Sequence, residues 1–177
     1  MSLEIYIGPM YAGKTTKMME MYHKNNCPLK IVVDYCDDEH GVSMSSLNNH
    51  NNTTLHGVYK VKTLLLLCES HDASIAQHVY INECQFFPDL YEYVIQCLKR
   101  DVCVYLYGLD GDFKQELFGQ TMSLIPYCSH IEKIQGTCNT CSNSSILSYR
   151  TCENKEVYLP NSDVYIPLCL KCHKEIQ

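Results

Sequence analysis

The sequence predicts an α/β protein: a parallel sheet flanked by helices, carrying a P-loop, with a small β-rich metal-binding module at its C-terminal end. Three observations point there. Short runs rich in β-branched and aromatic residues recur at 3–7, 30–35, 79–81 and 102–107, separated by stretches with helical spacing. Residues 8–15 read Gly-Pro-Met-Tyr-Ala-Gly-Lys-Thr, the G-x-x-x-x-G-K-[ST] pattern. Two matched pairs, Cys138-x-x-Cys141 and Cys169-x-x-Cys172, close the chain.

The elements follow in order. Residues 3–7 form a strand that feeds the glycine loop. Residues 16–24 form a helix, with Met18, Met19 and Tyr22 on one face. In this context the backbone N–H groups of Gly8, Pro9, Met10, Tyr11, Ala12 and Gly13 (proline excepted) curl around a phosphate at the helix N-terminus, where the dipole favours negative charge. Lys14 reaches the outer phosphates and the Thr15 hydroxyl serves Mg²⁺. A second buried strand at 30–35 makes the opening strand–helix–strand, hence a right-handed crossover and a parallel sheet. Residues 36–57 are polar, with four asparagines around His50, and read as a long loop. A short strand is expected at 58–61 and a mostly helical stretch at 63–77. The third strand, 79–81, ends in Asn82-Glu83-Cys84-Gln85-Phe86-Phe87-Pro88-Asp89. Pro88 suits the first turn of a helix running to about residue 100. The fourth strand, 102–107, leads into Gly108-Leu109-Asp110-Gly111-Asp112-Phe113. From residue 131 the helical pattern stops. Two parts are expected, a nucleotide-binding part at 1–134 and a metal-binding part at 135–177.

Composition bounds the function. A chain of 177 residues that is 46% hydrophobic has a proper core, and its net charge of −6 argues against a dedicated nucleic-acid binder. No apolar run approaches the 18 residues of a membrane span, and no leader fits before a loop that begins at residue 8, so a cytoplasmic protein without membrane partners is expected. In a reducing compartment the twelve cysteines are thiols, and clustered pairs suggest metal. Two knuckles, with 27 residues between them, place four thiolates around one closed, structural zinc ion. His173, next to Cys172, is a possible substitute ligand, though a residue adjacent to a ligand usually points elsewhere. The other eight cysteines are expected in the core.

A phosphoryl transferase also needs a group to take the acceptor's proton. Glu83, at the end of the third strand, stands where that group belongs in a P-loop fold. The adjacent Phe86 and Phe87 suit a pocket for a flat base.

These pieces, with Phe118-Gly119 and the paired knuckles, occur in the order seen in thymidine kinases of the cellular and poxviral type, and the chain resembles that family over residues 3–173. The resemblance implies a P-loop α/β domain and a zinc-bound module whose loop, the lasso, closes over the nucleoside. It implies ATP as phosphate donor, with Mg²⁺, and thymidine as acceptor. Glu83 then acts as general base on the 5′-hydroxyl, while Asn82 and Gln85 join residues 8–15 around the phosphates. Met10, Leu109 and Phe113 wall the thymine, with Phe86 and Phe118 near it. Ser148 takes the place of a family threonine near the base's methyl group. Val157, Leu159, Asn161 and Tyr165 supply the lasso contacts. The resemblance also implies a homotetramer or other homo-oligomer.

Two positions depart from the family pattern. An aspartate usually precedes the glutamate, serving the magnesium shell; here it is Asn82. An arginine after the second strand is replaced by His40. A nucleotide-binding protein of weakened catalysis that keeps this fold is therefore the alternative. On the sequence alone, Asn82→Asp is expected to raise activity or lower the magnesium requirement.

Overall fold

The computed structural model describes residues 1–37, 41–153, 156 and 164–176. Its centre is a sheet built from β1 (Ser2–Ile7), β2 (Lys30–Tyr35), β3 (Ser43–Asn48), β4 (Thr54–Val61), β5 (His78–Ile81), β6 (Cys103–Gly108) and β7 (His130–Lys133). In space the order is β3-β4-β2-β5-β6-β1-β7, with every neighbouring pair parallel except β3 and β4. The inner strands are buried on both faces, which is why they read as nearly continuous apolar runs.

Each face has its own core. Ile5, Val33, Val79, Ile81 and Leu106 pack under α3 (Leu90–Lys99) and a 3₁₀ segment at Leu64–Glu69. Tyr6, Val32, Tyr80, Tyr105 and Tyr107 point the other way, to Met18 and Met19 of α1 (Lys14–Lys24). Tyrosines fill this second face as stacked pairs, Tyr6 on Tyr107 with centroids 4.9 Å apart and Tyr80 on Tyr105 at 4.4 Å. The Tyr107 hydroxyl donates to the Met21 sulfur.

The structure departs from the sequence expectations in four places. Residues 36–57 are not all loop: β3 and β4 form an antiparallel hairpin at the sheet edge. β3 is polar and exposed along most of its length, so it carries no alternation to read. Backbone pairing holds it, together with a turn in which the Asn49 side chain accepts from the N–H groups of Asn51 and Thr53. Residues 63–77 do not make one helix either. The 3₁₀ segment is capped by Asp89, which accepts from the N–H groups of Leu64 and Leu65, and extended Ser70 separates it from the short α2 (His71–Ile75).

Helix also returns after residue 131. Beyond two small sheets, β8 (Gly136–Thr137) with β9 (Ser144–Ser145) and β10 (Leu147–Arg150) with β11 (Tyr165–Leu168), the chain forms α4 (Leu170–Ile176). Its one apolar anchor is the cluster of Cys138, Leu168 and Cys172, too short a pattern to register. Finally, of the eight unpaired-looking cysteines only Cys84 and Cys97 are buried; Cys68 is exposed and the rest are half-buried. A thiol is small and weakly polar, so the sheet rim and helix ends accept it as readily as the core does.

Candidate active site

The site forms where the parallel strands end. β1 stops at Ile7, and Gly8 turns the chain at φ 154°; a Cβ there would stand 2.1 Å from the Ile134 carbonyl oxygen. Gly13 caps α1 in the left-handed region with no side-chain cap, so the first N–H groups of the helix are left to an anion. Lys14 spans its own loop, donating to the carbonyls of Gly8 at 3.1 Å and Pro9 at 2.7 Å. Burial lowers the pKa of its ammonium, and the nearby Glu83 and Asp110 oppose that shift.

Two strands away, β5 ends and the Asn82 N–H still pairs with the Val33 carbonyl at 2.8 Å. The next residue, Glu83, adopts φ 50°, ψ 40°. Left-handed backbone at a non-glycine residue costs energy and persists only where the surroundings impose it. Here it turns the half-buried carboxylate into the cavity. Glu83 Oε2 accepts from Gln85 Nε2 at 2.7 Å, and Gln85 Oε1 accepts from the Leu109 N–H at 2.9 Å. Gln85, expected at the phosphates, thus spends its amide on holding Glu83 to the end of β6. Gly119, at φ 67°, leaves room for this: a Cβ there would sit 2.2 Å from the Gln85 carbonyl oxygen.

Beside Glu83, Asn82 Oδ1 faces the Thr15 hydroxyl at 3.5 Å, and Asn82 Nδ2 donates to Asp34 Oδ1 at 2.8 Å. Asp34 is also ion-paired with Lys60. Thr15 and Asn82 present hard oxygen donors side by side, a set that suits Mg²⁺.

A cavity of about 370 Å³ joins these groups. Of the residues singled out in the sequence, its wall includes 10–15, Asn82, Glu83, Gln85 and Phe86 on the β1 and β5 sides. Leu109, Phe113, Phe118, Ser148 and Tyr165 complete it. Gly8 and Pro9 are not on the wall; their carbonyls accept from Lys14. Val157, Leu159, Asn161 and His40 lie outside the described residues. The aromatic end is ordered by ring contacts, Phe86 edge-on to Phe118 at 5.3 Å and against Tyr35 at 5.0 Å. Arg150 lies 3.7 Å over the Phe113 ring and bonds the Tyr165 hydroxyl. Ser148 Oγ accepts from the Met10 N–H at 2.9 Å, tying β10 to the P-loop.

The sequence reading missed Asp34, Tyr35, Leu47 and His50, all on the cavity wall. The last two come from the hairpin that looked like loop. His50 packs its ring 5.3 Å from that of Tyr11.

At the far end of the small module, the Sγ atoms of Cys138, Cys141, Cys169 and Cys172 lie within 4.8 Å of one another. Four soft donors converging on one point fit tetrahedral zinc. Although burial opposes it, hydrogen bonds from the backbone of Cys169, Cys141 and Thr140 bring the Cys138 thiol down to about 6. His173 is buried with its ring edge-on to Tyr149 at 5.8 Å, outside the sulfur cluster.

Comparison with known proteins agrees with this geometry. The family model described as thymidine kinase matches residues 1–173. A thymidine kinase of Choristoneura fumiferana entomopoxvirus is 30% identical over 185 residues, covering 99% of this chain and 97% of that protein. A thymidine kinase of Fowlpox virus is 28% identical, covering 97% and 96%. The cytosolic thymidine kinase of Cricetulus griseus is 27% identical, covering 97% of this chain and 72% of its own length. With a match over nearly its whole length, a phosphate loop at the head of the sheet and a four-cysteine knuckle pair behind it, this chain belongs to the thymidine kinase family.

Proposed function

We propose that the protein is an ATP-dependent thymidine kinase, a phosphotransferase that moves the γ-phosphate of ATP to the 5′-hydroxyl of thymidine. The observation that carries this is Glu83: a half-buried carboxylate at a strand end beside the P-loop, braced by Gln85 and turned into a cavity with an aromatic far wall.

The residues divide the work. The loop at 8–15 holds the phosphates, and Lys14 exchanges its bonds to Gly8 and Pro9 for phosphate oxygens. Thr15 and Asn82 would hold Mg²⁺, whose chemistry when bound would be to neutralise charge on the phosphates. Glu83 accepts the hydroxyl proton as the oxygen attacks. Phe86, Phe118, Leu109 and Phe113 enclose the thymine with Met10 and Tyr165, while Ser148 sits near its methyl group. The resemblance also assigns Val157, Leu159 and Asn161 to the nucleoside. The four cysteines would hold zinc, which when bound would fix the two knuckles to each other. Residues 1–134 thus carry the nucleotide site and most of the thymine wall, and 135–177 add Ser148, Tyr165 and the zinc knuckles. No described helix is long and apolar enough to cross a membrane. We read the protein as cytoplasmic and homo-oligomeric, in keeping with the resemblance.

One observation favours the alternative, a binding protein of weakened turnover: the group beside Thr15 is the neutral Asn82. A steady-state assay with ATP and thymidine, deoxyuridine or deoxycytidine decides between them. Turnover with thymidine supports the kinase. ATP binding without turnover on any nucleoside, at any magnesium concentration, supports the alternative.

A further inference from the structure

Asn82 is held so that its amide has one orientation. The Asp34 carboxylate is buried and can only accept hydrogen bonds, so Asn82 must turn Nδ2 toward it, and does at 2.8 Å. Oδ1 is thereby aimed the other way, at the Thr15 hydroxyl. The second oxygen of Asp34 is fixed by Lys60.

Strand register puts these groups in a row. Asp34 pairs with Lys60 across β2 and β4, and Asn82 follows Ile81, the partner of Val33. Two residues earlier in each strand, Val58, Val32 and Tyr80 all belong to the core on the α1 face. With a period of two, Lys60, Asp34 and Asn82 fall on that same face, at the edge where the P-loop enters α1. Asp34 and Asn82 both reach the cavity wall.

We propose that Asp34 is a positioning residue for the magnesium–nucleotide end of the site. It locks Asn82 with its carbonyl oxygen toward Thr15, while its own charge is met by Lys60. This rests on the reading of Thr15 and Asn82 as the magnesium-facing pair. It reverses the expectation from sequence for Asn82→Asp: a carboxylate at 82 would face Asp34 at hydrogen-bonding distance with no proton between them, so the substitution is unfavourable while Asp34 is present.

The test measures ATP binding to the full chain by calorimetry, across magnesium concentrations and in EDTA, with thermal unfolding alongside. Asp34→Asn frees the Asn82 amide to flip; the magnesium concentration for half-maximal enhancement of ATP binding is expected to rise about tenfold, the worth of one charge-assisted hydrogen bond. Affinity in EDTA should stay unchanged, because the P-loop is untouched. Asn82→Asp should likewise raise the magnesium requirement and lower the unfolding midpoint. The exchange Asp34→Asn with Asn82→Asp re-forms the bond with donor and acceptor reversed, and should recover both. If Asp34→Asn lowers the midpoint but leaves the magnesium dependence alone, Asp34 is only a brace between β2 and β4 and the proposal falls. It falls equally if the exchange is no better than Asn82→Asp alone, a comparison that stands even where Asp34→Asn does not fold. The readout needs no acceptor, so a protein with Asp34-dependent magnesium binding that phosphorylates no nucleoside would overturn the kinase reading and leave this one standing.

Discussion

Lys14 shows what the P-loop stores before a ligand arrives. Its ammonium is buried against two carbonyls of its own loop, and burial lowers its pKa from the ordinary 10.5. A lysine whose folded value is lowered costs the fold most where both states are protonated. Between the lowered value and 10.5 the unfolded chain binds more protons, so stability rises with pH across that window. Phosphates entering the loop push the value back up. ATP binding is therefore expected to take up protons, increasingly so in alkaline buffers, as read by calorimetry in two buffers of different ionisation enthalpy. Lys14→Ala should abolish the uptake and weaken ATP binding by about 10- to 150-fold, the range for losing a charge-assisted contact. Equal proton uptake in the variant would contradict this. Lys14 and Glu83 were legible because motif spacing and a strand end mark them. Asp34 was not, since its meaning lies in cross-strand register, which no local pattern carries. The bonds of Gln85 to Glu83 and to the Leu109 N–H were not legible either, because only the fold brings Leu109 to it.

Among the elements, the turn after β5 and the knuckle pair do most to shape the site. Gly119 leaves the gap through which the Phe118 loop packs against Gln85. Gly119→Ala puts a methyl group into that gap at a left-handed position, and a stability loss of about 1–3 kcal/mol is expected. Because Gln85 holds Glu83, kcat should fall more than the KM for thymidine; unfolding and steady-state kinetics report the two effects, and an equal loss in both would show that Gln85 does not transmit the strain. At the knuckles, elemental analysis is expected to find about one zinc per chain. Cys138→Ser and Cys169→Ser should lose it and lower the unfolding midpoint, since metal binding and folding are coupled there. Full stability without metal would contradict the assignment. The cysteine spacing made this site readable from sequence. The α4 helix that carries Cys172 was hidden by its shortness, and β3 by having no buried face.

At the scale of the whole molecule, the C-terminal edge of the parallel sheet is the organising feature. β4, β2, β5, β6 and β1 deliver Lys60, Asp34, Asn82 with Glu83, Leu109 and the P-loop in spatial order along that edge. The alternation of helix and strand announced this edge, as open α/β sheets place their ligands beyond the strand ends. Ser148 was expected on the far side; what sequence did not convey was the wall brought in by the β3–β4 hairpin, and Arg150 of β10 stacked on Phe113. The central claim is that Glu83 at this edge is the base for thymidine. Its most direct test is the turnover of Glu83→Gln with ATP and thymidine, measured beside ATP affinity. The substitution keeps size and hydrogen bonding but removes the proton acceptor. We expect kcat to fall by about 10²-fold or more while ATP affinity holds, the usual worth of a general base. Unchanged turnover would place the base elsewhere and contradict the account.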